Sequence, residues 1–135
     1  MKNTAIEDYI TAVYRIEKNN GNTRSKDIVD YLKIGKSSVS EMIVKLVNLG
    51  MVEHGKYSTI TLTKKGKLLA TKVLFKHRVI ELFLTKMLDR NRNEVHQEAH
   101  VLEHAFSDQS IEKIYKILGQ PKKGVHGEEI PEVKL

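Results

Sequence analysis

The sequence predicts a mainly α-helical chain in two parts, and three observations predict it. Apolar residues recur with helical period over six separate stretches. One short alternating segment interrupts them near residue 60. Charge and histidine are divided unequally along the chain. Residues 1–73 hold 13 Lys and Arg against 7 Asp and Glu, which is the whole net charge of +6. Residues 74–135 hold 10 of each, with five of the six histidines.

At 135 residues the chain is long enough to bury a core without covalent staples. It has no cysteine, so disulfide frameworks and thiolate metal sites are excluded. No apolar run approaches the ~18 residues of a membrane span. The N-terminus, Met1-Lys2-Asn3-Thr4, opens no apolar signal core. These features predict a soluble cytoplasmic protein with no membrane partner. A basic first half points to a polyanion, most often nucleic acid.

Ile6, Tyr9, Ile10, Val13, Tyr14 and Ile16 predict a first helix over about 5–18, ended at Asn19-Asn20-Gly21. Ser25 reads as the N-cap of a second helix whose apolar face is Ile28, Val29 and Leu32. Ile34-Gly35-Lys36 is a tight turn. Ser37 or Ser38 then caps a third helix, with Val39, Met42, Ile43, Leu46, Val47 and Leu49 inward. Two helices joined by a short glycine turn make a helix-turn-helix. Met51–His54 and Thr59–Thr63 read as strands around the turn Gly55-Lys56-Tyr57-Ser58. A hairpin in that place is a wing. A long helix over about 64–87 follows, then helices over about 93–106 and 108–118, and a loop from Pro121 onward. The domains predicted are 1–73 and 74–135.

In a helix-turn-helix, the start of the second helix reaches base edges in the major groove. Ser37, Ser38, Ser40 and Glu41 occupy that start. Small hydroxyl residues let the backbone approach and bond to phosphate or to either kind of base edge. Arg24, Lys26, Lys36 and Lys45 flank the unit, Lys56 sits at the wing tip, and Lys64 and Lys65 lie just beyond the hairpin. These cations suit phosphates, whose neutralisation makes binding salt-dependent.

His96, His100, Glu103 and His104 fall at i, i+4, i+7 and i+8, one stripe of a helix. His77 and Glu81 form a second i, i+4 pair. Nitrogen and oxygen ligands without thiolate favour Mn(II) or Fe(II), and Zn(II) also binds such sets. His100, Glu103 and His104 can share an ion from one helix. His77, Glu81 and His96 form a second group if the fourth helix packs beside the fifth. His126, alone in a glycine-containing tail, reads as no ligand, and His54 as structural or near DNA.

These segments resemble the diphtheria toxin repressor and manganese transport regulator family of metal-dependent repressors. Three stretches carry the likeness: Glu7-Asp8-Tyr9-Ile10 with Tyr14; Lys36-Ser37-Ser38-Val39-Ser40 with the wing and Leu62-Thr63-Lys64-Lys65-Gly66; and Glu94-Val95-His96 through Glu103-His104-Ala105-Phe106-Ser107-Asp108. The resemblance implies an N-terminal winged helix-turn-helix followed by an α-helical dimerisation and metal-binding domain. It implies a homodimer on palindromic operator DNA. It also implies a main regulatory site of Asp8, His100, Glu103 and His104, and a neighbouring site of His77, Glu81 and His96. The chain departs from both branches of the family. The iron branch has methionine at Asp8 and cysteine at His100. The manganese branch shares the aspartate but has glutamate at Thr11 and, most often, near His100. Many relatives carry a further SH3-like domain, and the chain reads as a short form lacking it.

Two other functions compete with a repressor that controls metal homeostasis. One is a winged-helix protein with a purely structural metal site. The other is a metal-dependent hydrolase, disfavoured because no His-Glu-x-x-His segment occurs and connections are short, so neither catalysis nor a small-molecule substrate is expected. The apolar Leu74, Ile80, Leu84, Leu102, Phe106 and Ile114 are expected to supply the dimer interface.

Overall fold

The computed structural model describes residues 4–135. Helices α1 (Thr4–Asn20), α2 (Ser25–Leu32) and α3 (Lys36–Asn48) precede strands β1 (Val52–His54) and β2 (Ile60–Leu62). Helices α4 (Lys64–Leu82), α5 (His96–Ala105) and α6 (Asp108–Ile117) follow. The chain divides into two compact units, one ending at Ala70 and one beginning at Thr71.

The first unit closes around Ile10, Val13, Ile28, Val39, Leu46, Val52 and Ile60, each at most 2% exposed. Each fully buried aliphatic side chain contributes roughly 1.5–3 kcal/mol relative to exposure. β1 and β2 pair antiparallel, Val52 against Leu62, Glu53 against Thr61 and His54 against Ile60. The segment before α2 extends this ribbon: Ile60 N–H donates to the Thr23 carbonyl, and Arg24 bridges to Thr59. The wing is thereby held against the helices by backbone bonds as well as by its apolar face.

Thr63 fixes where α4 starts. Its hydroxyl donates to the Gly50 carbonyl at 2.6 Å and accepts from Gly66 N–H at 3.1 Å. One side chain thus caps α4 and ties it to the end of α3. Gly66 is required there, because a Cβ on it would lie 2.1 Å from the Met51 carbonyl oxygen.

Several helix ends differ from the sequence reading. Arg24, not Ser25, precedes α2 as its cap residue, and the Asp27 carboxylate accepts from Arg24 N–H at 2.9 Å. Gly35, not Ser37 or Ser38, precedes α3. The serines are therefore inside the helix with their side chains exposed. The fourth helix stops at Leu82 and continues as a π-helical turn, Phe83–Met87. α5 begins at His96 rather than near 93.

The second unit packs Phe75, Val79, Ile80, Leu82 and Leu84 with Val95, which precedes α5, Ala99 of α5 and Ile111 of α6. Ser107 caps α6, accepting from Ser110 N–H at 3.1 Å. Lys76, 3% exposed, reaches Asp108 at 2.6 Å, and Lys72 joins at 2.7 Å. Burial raises the Asp108 carboxyl, but the two lysines outweigh it and hold it down at about 2. Arg78 donates to the Glu129 carbonyl and so ties the C-terminal segment to α4. Leu74, Ile80 and Leu84 are buried within the chain itself, at 1%, 0% and 1% exposure. They are core residues and cannot meet a second subunit. The apolar side chains this unit exposes are Met87, Leu88, Val101 and Ile117.

Candidate metal centre and nucleic-acid interface

α4 and α5 bring His77, Glu81 and His96 together, with ligand atoms within 4.8 Å of one another. The i, i+4 spacing puts His77 and Glu81 on one face of α4, and His77 Nε2 lies 3.4 Å from Glu81 Oε1. His96, the first residue of α5, sets Nδ1 3.1 Å from His77 Nε2. His77 and Glu81 are buried, whereas the His96 side chain is 64% exposed, so the group opens to solvent on one side. Glu81 Oε2 is buried without a hydrogen-bond partner, 3.7 Å from His96 Nδ1. An unsatisfied buried carboxylate oxygen is costly. Two imidazoles and this oxygen form a donor set that fits a first-row divalent cation.

Along α5, His100, Glu103 and His104 likewise place their ligand atoms within 4.8 Å of one another. The two imidazoles meet edge to face, ring centres 5.2 Å apart, and His104 Nε2 lies 3.6 Å from Glu103 Oε2. Glu103 is buried and His100 exposed. Asp8 belongs to the other unit, half-buried on α1. Thr11, where the manganese branch has glutamate, donates its hydroxyl to the Glu7 carbonyl at 2.7 Å and is committed to its own helix.

One contact joins the two groups of the second unit and was not visible in the sequence. His77 Nδ1 and Glu103 Oε1 are 2.5 Å apart, 26 residues from each other in the chain and both buried. Burial alone would lower the His77 imidazole. The bonds to Glu103 and Glu81 outweigh it and raise His77 to about 8. Burial likewise pushes Glu81 up, and His77 and His96 more than reverse it, leaving Glu81 below the usual carboxylate range. His126, which the sequence reading set aside, is among the charges acting on Glu81 in the same direction.

In the first unit, Arg24, Lys26, Lys36, Ser37, Ser38, Ser40, Glu41, Lys45 and Lys56 are all exposed. Ser40 donates back to the Lys36 carbonyl at 3.1 Å. Lys65 is committed, its Nζ donating to the Leu49 carbonyl at 3.0 Å. A groove of about 330 Å³ runs beside α3, lined by Ser25, Ser40, Ile43, Val44, Val47, Asn48 and His54. Tyr57, 83% exposed with φ +59°, stands at the wing tip beside Lys56. A count of charges passes over such an aromatic; its place in a glycine-led hairpin turn was the available signal.

A winged helix-turn-helix unit in one chain with helical His/Glu groups defines a class, the metal-responsive DNA-binding regulators. Residues 1–60 match the N-terminal DNA binding domain of the iron dependent repressors, and residues 63–132 match their metal binding and dimerisation domain. The chain belongs to the iron dependent repressor family, whose members are transcriptional regulators and not enzymes. It is 39% identical over 111 residues to an HTH-type transcriptional regulator of Methanocaldococcus jannaschii, covering 82% of this chain and 89% of that one. It is 32% identical over 114 residues to the HTH-type transcriptional regulator MntR of Lysinibacillus sphaericus, covering 84% and 81%. A manganese-dependent transcriptional repressor solved in complex with manganese superposes with a TM-score of 0.86 at 34% identity. That match covers 94% of this chain but 58% of the solved one. No helix among the described residues is long and apolar enough to cross a membrane.

Proposed function

We propose that this chain is a metal-activated transcriptional repressor, working in the cytoplasm as a homodimer on palindromic operator DNA to control metal-ion homeostasis. Mn(II) or Fe(II) is its activating ion, and Zn(II) can occupy the same donors in vitro. The observation that supports this best is the pair of His/Glu groups, one of them holding an unsatisfied carboxylate oxygen, in a chain that also carries a winged helix-turn-helix. Asp8, His100, Glu103 and His104 form the main regulatory site in this reading, and His77, Glu81 and His96 the neighbouring one. A bound divalent ion supplies positive charge and coordination bonds to these carboxylates and imidazoles. Asp8 belongs to the DNA-binding unit and the other ligands to the second, so loading the main site draws on both. The functional division is 1–73 for DNA and 74–135 for dimerisation and metal.

Ser37, Ser38, Ser40 and Glu41 face base edges, and Arg24, Lys26, Lys36, Lys45 and Lys56 face phosphates. A symmetric dimer sets its two recognition helices about one helical turn of DNA apart, ~34 Å, or a multiple of it. The test is DNA affinity against free metal, by fluorescence anisotropy on a duplex selected from a random library. A metal that tightens DNA binding is itself held more tightly on DNA, a coupling of about 5–150-fold. Equal affinities with Mn(II), Fe(II), Zn(II) and chelator would leave a winged-helix protein with a structural metal site. Asp8→Ala is expected to keep the fold and the dimer and to lose the metal response.

A further inference from the structure

The outward stripe of α3 carries one group whose polarity is fixed. Val39, Ile43 and Leu46 face the core of the unit. At 100° per residue, Ser37, Glu41, Val44 and Asn48 lie opposite them, and all four are exposed. A helix lying in the major groove meets base edges with positions spaced i, i+3, i+4 and i+7. On α3 these are Ser37, Ser40, Glu41 and Val44. A serine hydroxyl donates or accepts, and Ser40 already spends its proton on Lys36. An ionised Glu41 only accepts. It has no hydrogen bond or ion pair among the described residues, although Lys45 stands one turn away on the same helix.

An acceptor-only side chain is a poor fit to most of the groove. Phosphates repel it. Guanine presents N7 and O6, both acceptors, and thymine presents O4 and a methyl group. Adenine sets its N6 donor beside the N7 acceptor. Across the base pair that N6 lies between two acceptors, N7 and thymine O4, whereas cytosine's N4 donor has its partner's O6 on one side only and the apolar C5–H on the other. We propose that Glu41 reads a cytosine in each half-site, and that it acts as much by rejecting guanine and thymine as by bonding cytosine. This rests on the repressor reading above and adds the base that one residue selects.

Selection from a random duplex library tests it, using the full chain with saturating Mn(II). The wild type is expected to enrich cytosine at one fixed position of each half-site, favoured by about 10-fold over other bases. E41Q is expected to move that position towards adenine, whose N6 and N7 match an amide. E41A is expected to leave it degenerate. Far-UV circular dichroism and Mn(II) affinity, unchanged in both variants, show that the fold and the metal sites persist. Variants that enrich the same cytosine as the wild type overturn the assignment while the repressor reading stands. A wild-type pool that enriches no motif overturns both.

Discussion

The two units solve the same packing problem with different interiors. Between Tyr9 and Ala70 the core is apolar, and the buried polar residues of that unit are Glu7 and Thr23. The second unit buries Lys76, His77, Glu81 and Glu103, every one of them ionisable. Buried charge is tolerated only when paired or coordinated. Lys76 is paired by Asp108, whereas Glu81 keeps an oxygen with no hydrogen-bond partner. The difference teaches where each unit's stability comes from. The first rests on hydrophobic burial. The second also holds part of its stability in the proton on His77, shared with Glu81 and Glu103.

The largest expected effect comes from breaking the apolar side. Leu46→Ala, at a fully buried position, should cost about 2–5 kcal/mol, read by urea denaturation of the metal-free protein. If it also abolishes Mn(II) affinity measured by calorimetry, the two interiors are not independent and the contrast fails. Next, Glu81→Gln removes a charge and keeps the shape. Mn(II) affinity should fall by at least about 10-fold, and metal-free stability near neutral pH should fall as well, because His77 loses one of its two carboxylate partners. A variant that binds Mn(II) as tightly as the wild type removes Glu81 from the ligand set.

The pH dependence is the third test, and its sign differs for stability and for metal. His77 is raised from 6.5 to about 8 in the folded protein. Its protonated form is therefore stabilised by folding, by roughly 2 kcal/mol. That contribution is fully present below pH 6.5 and is lost as pH rises through about 8. Denaturation midpoints of the protein in chelator should accordingly drop between pH 6.5 and 8.5. Mn(II) needs the neutral imidazole, so its affinity should climb over the same interval. Parallel trends would show that His77 is not a ligand. The smallest effect is Ser107→Ala, which loses the cap of α6 and should cost about 1 kcal/mol of thermal stability at any pH.

Periodicity located the helices because each buries one face, as in Ile10, Val13 and Ile16 of α1. Their ends were harder to read. Ser25, Ser37 and Ser38 are good caps by chemistry, but Asp27 reaches back to Arg24 and Gly35 takes the extended conformation before α3. A serine one residue inside a helix looks the same in sequence as one at its edge. Helical spacing could group His77 with Glu81 and His100 with His104. It could not show that His77 turns its other nitrogen to Glu103, a pairing set by how α4 and α5 side chains meet. Spacing also could not separate the face of Ile80 and Leu84 that fills the core from a face open to a second subunit.

That nitrogen has a consequence for how many bonds Glu103 can offer. An imidazole coordinating through Nε2 must carry its hydrogen on Nδ1, and for His77 the atom facing Nδ1 is Glu103 Oε1. One carboxylate oxygen is then engaged as a hydrogen-bond acceptor. Oε2, the oxygen on the His104 side, is the one left for an ion held with His100 and His104. Oε1 would then share its lone pairs between His77 and any ion, which makes Oε2 the freer donor whenever His77 is itself a ligand. The tautomer of His77 would in this way bias which Glu103 oxygen the other group offers to an ion.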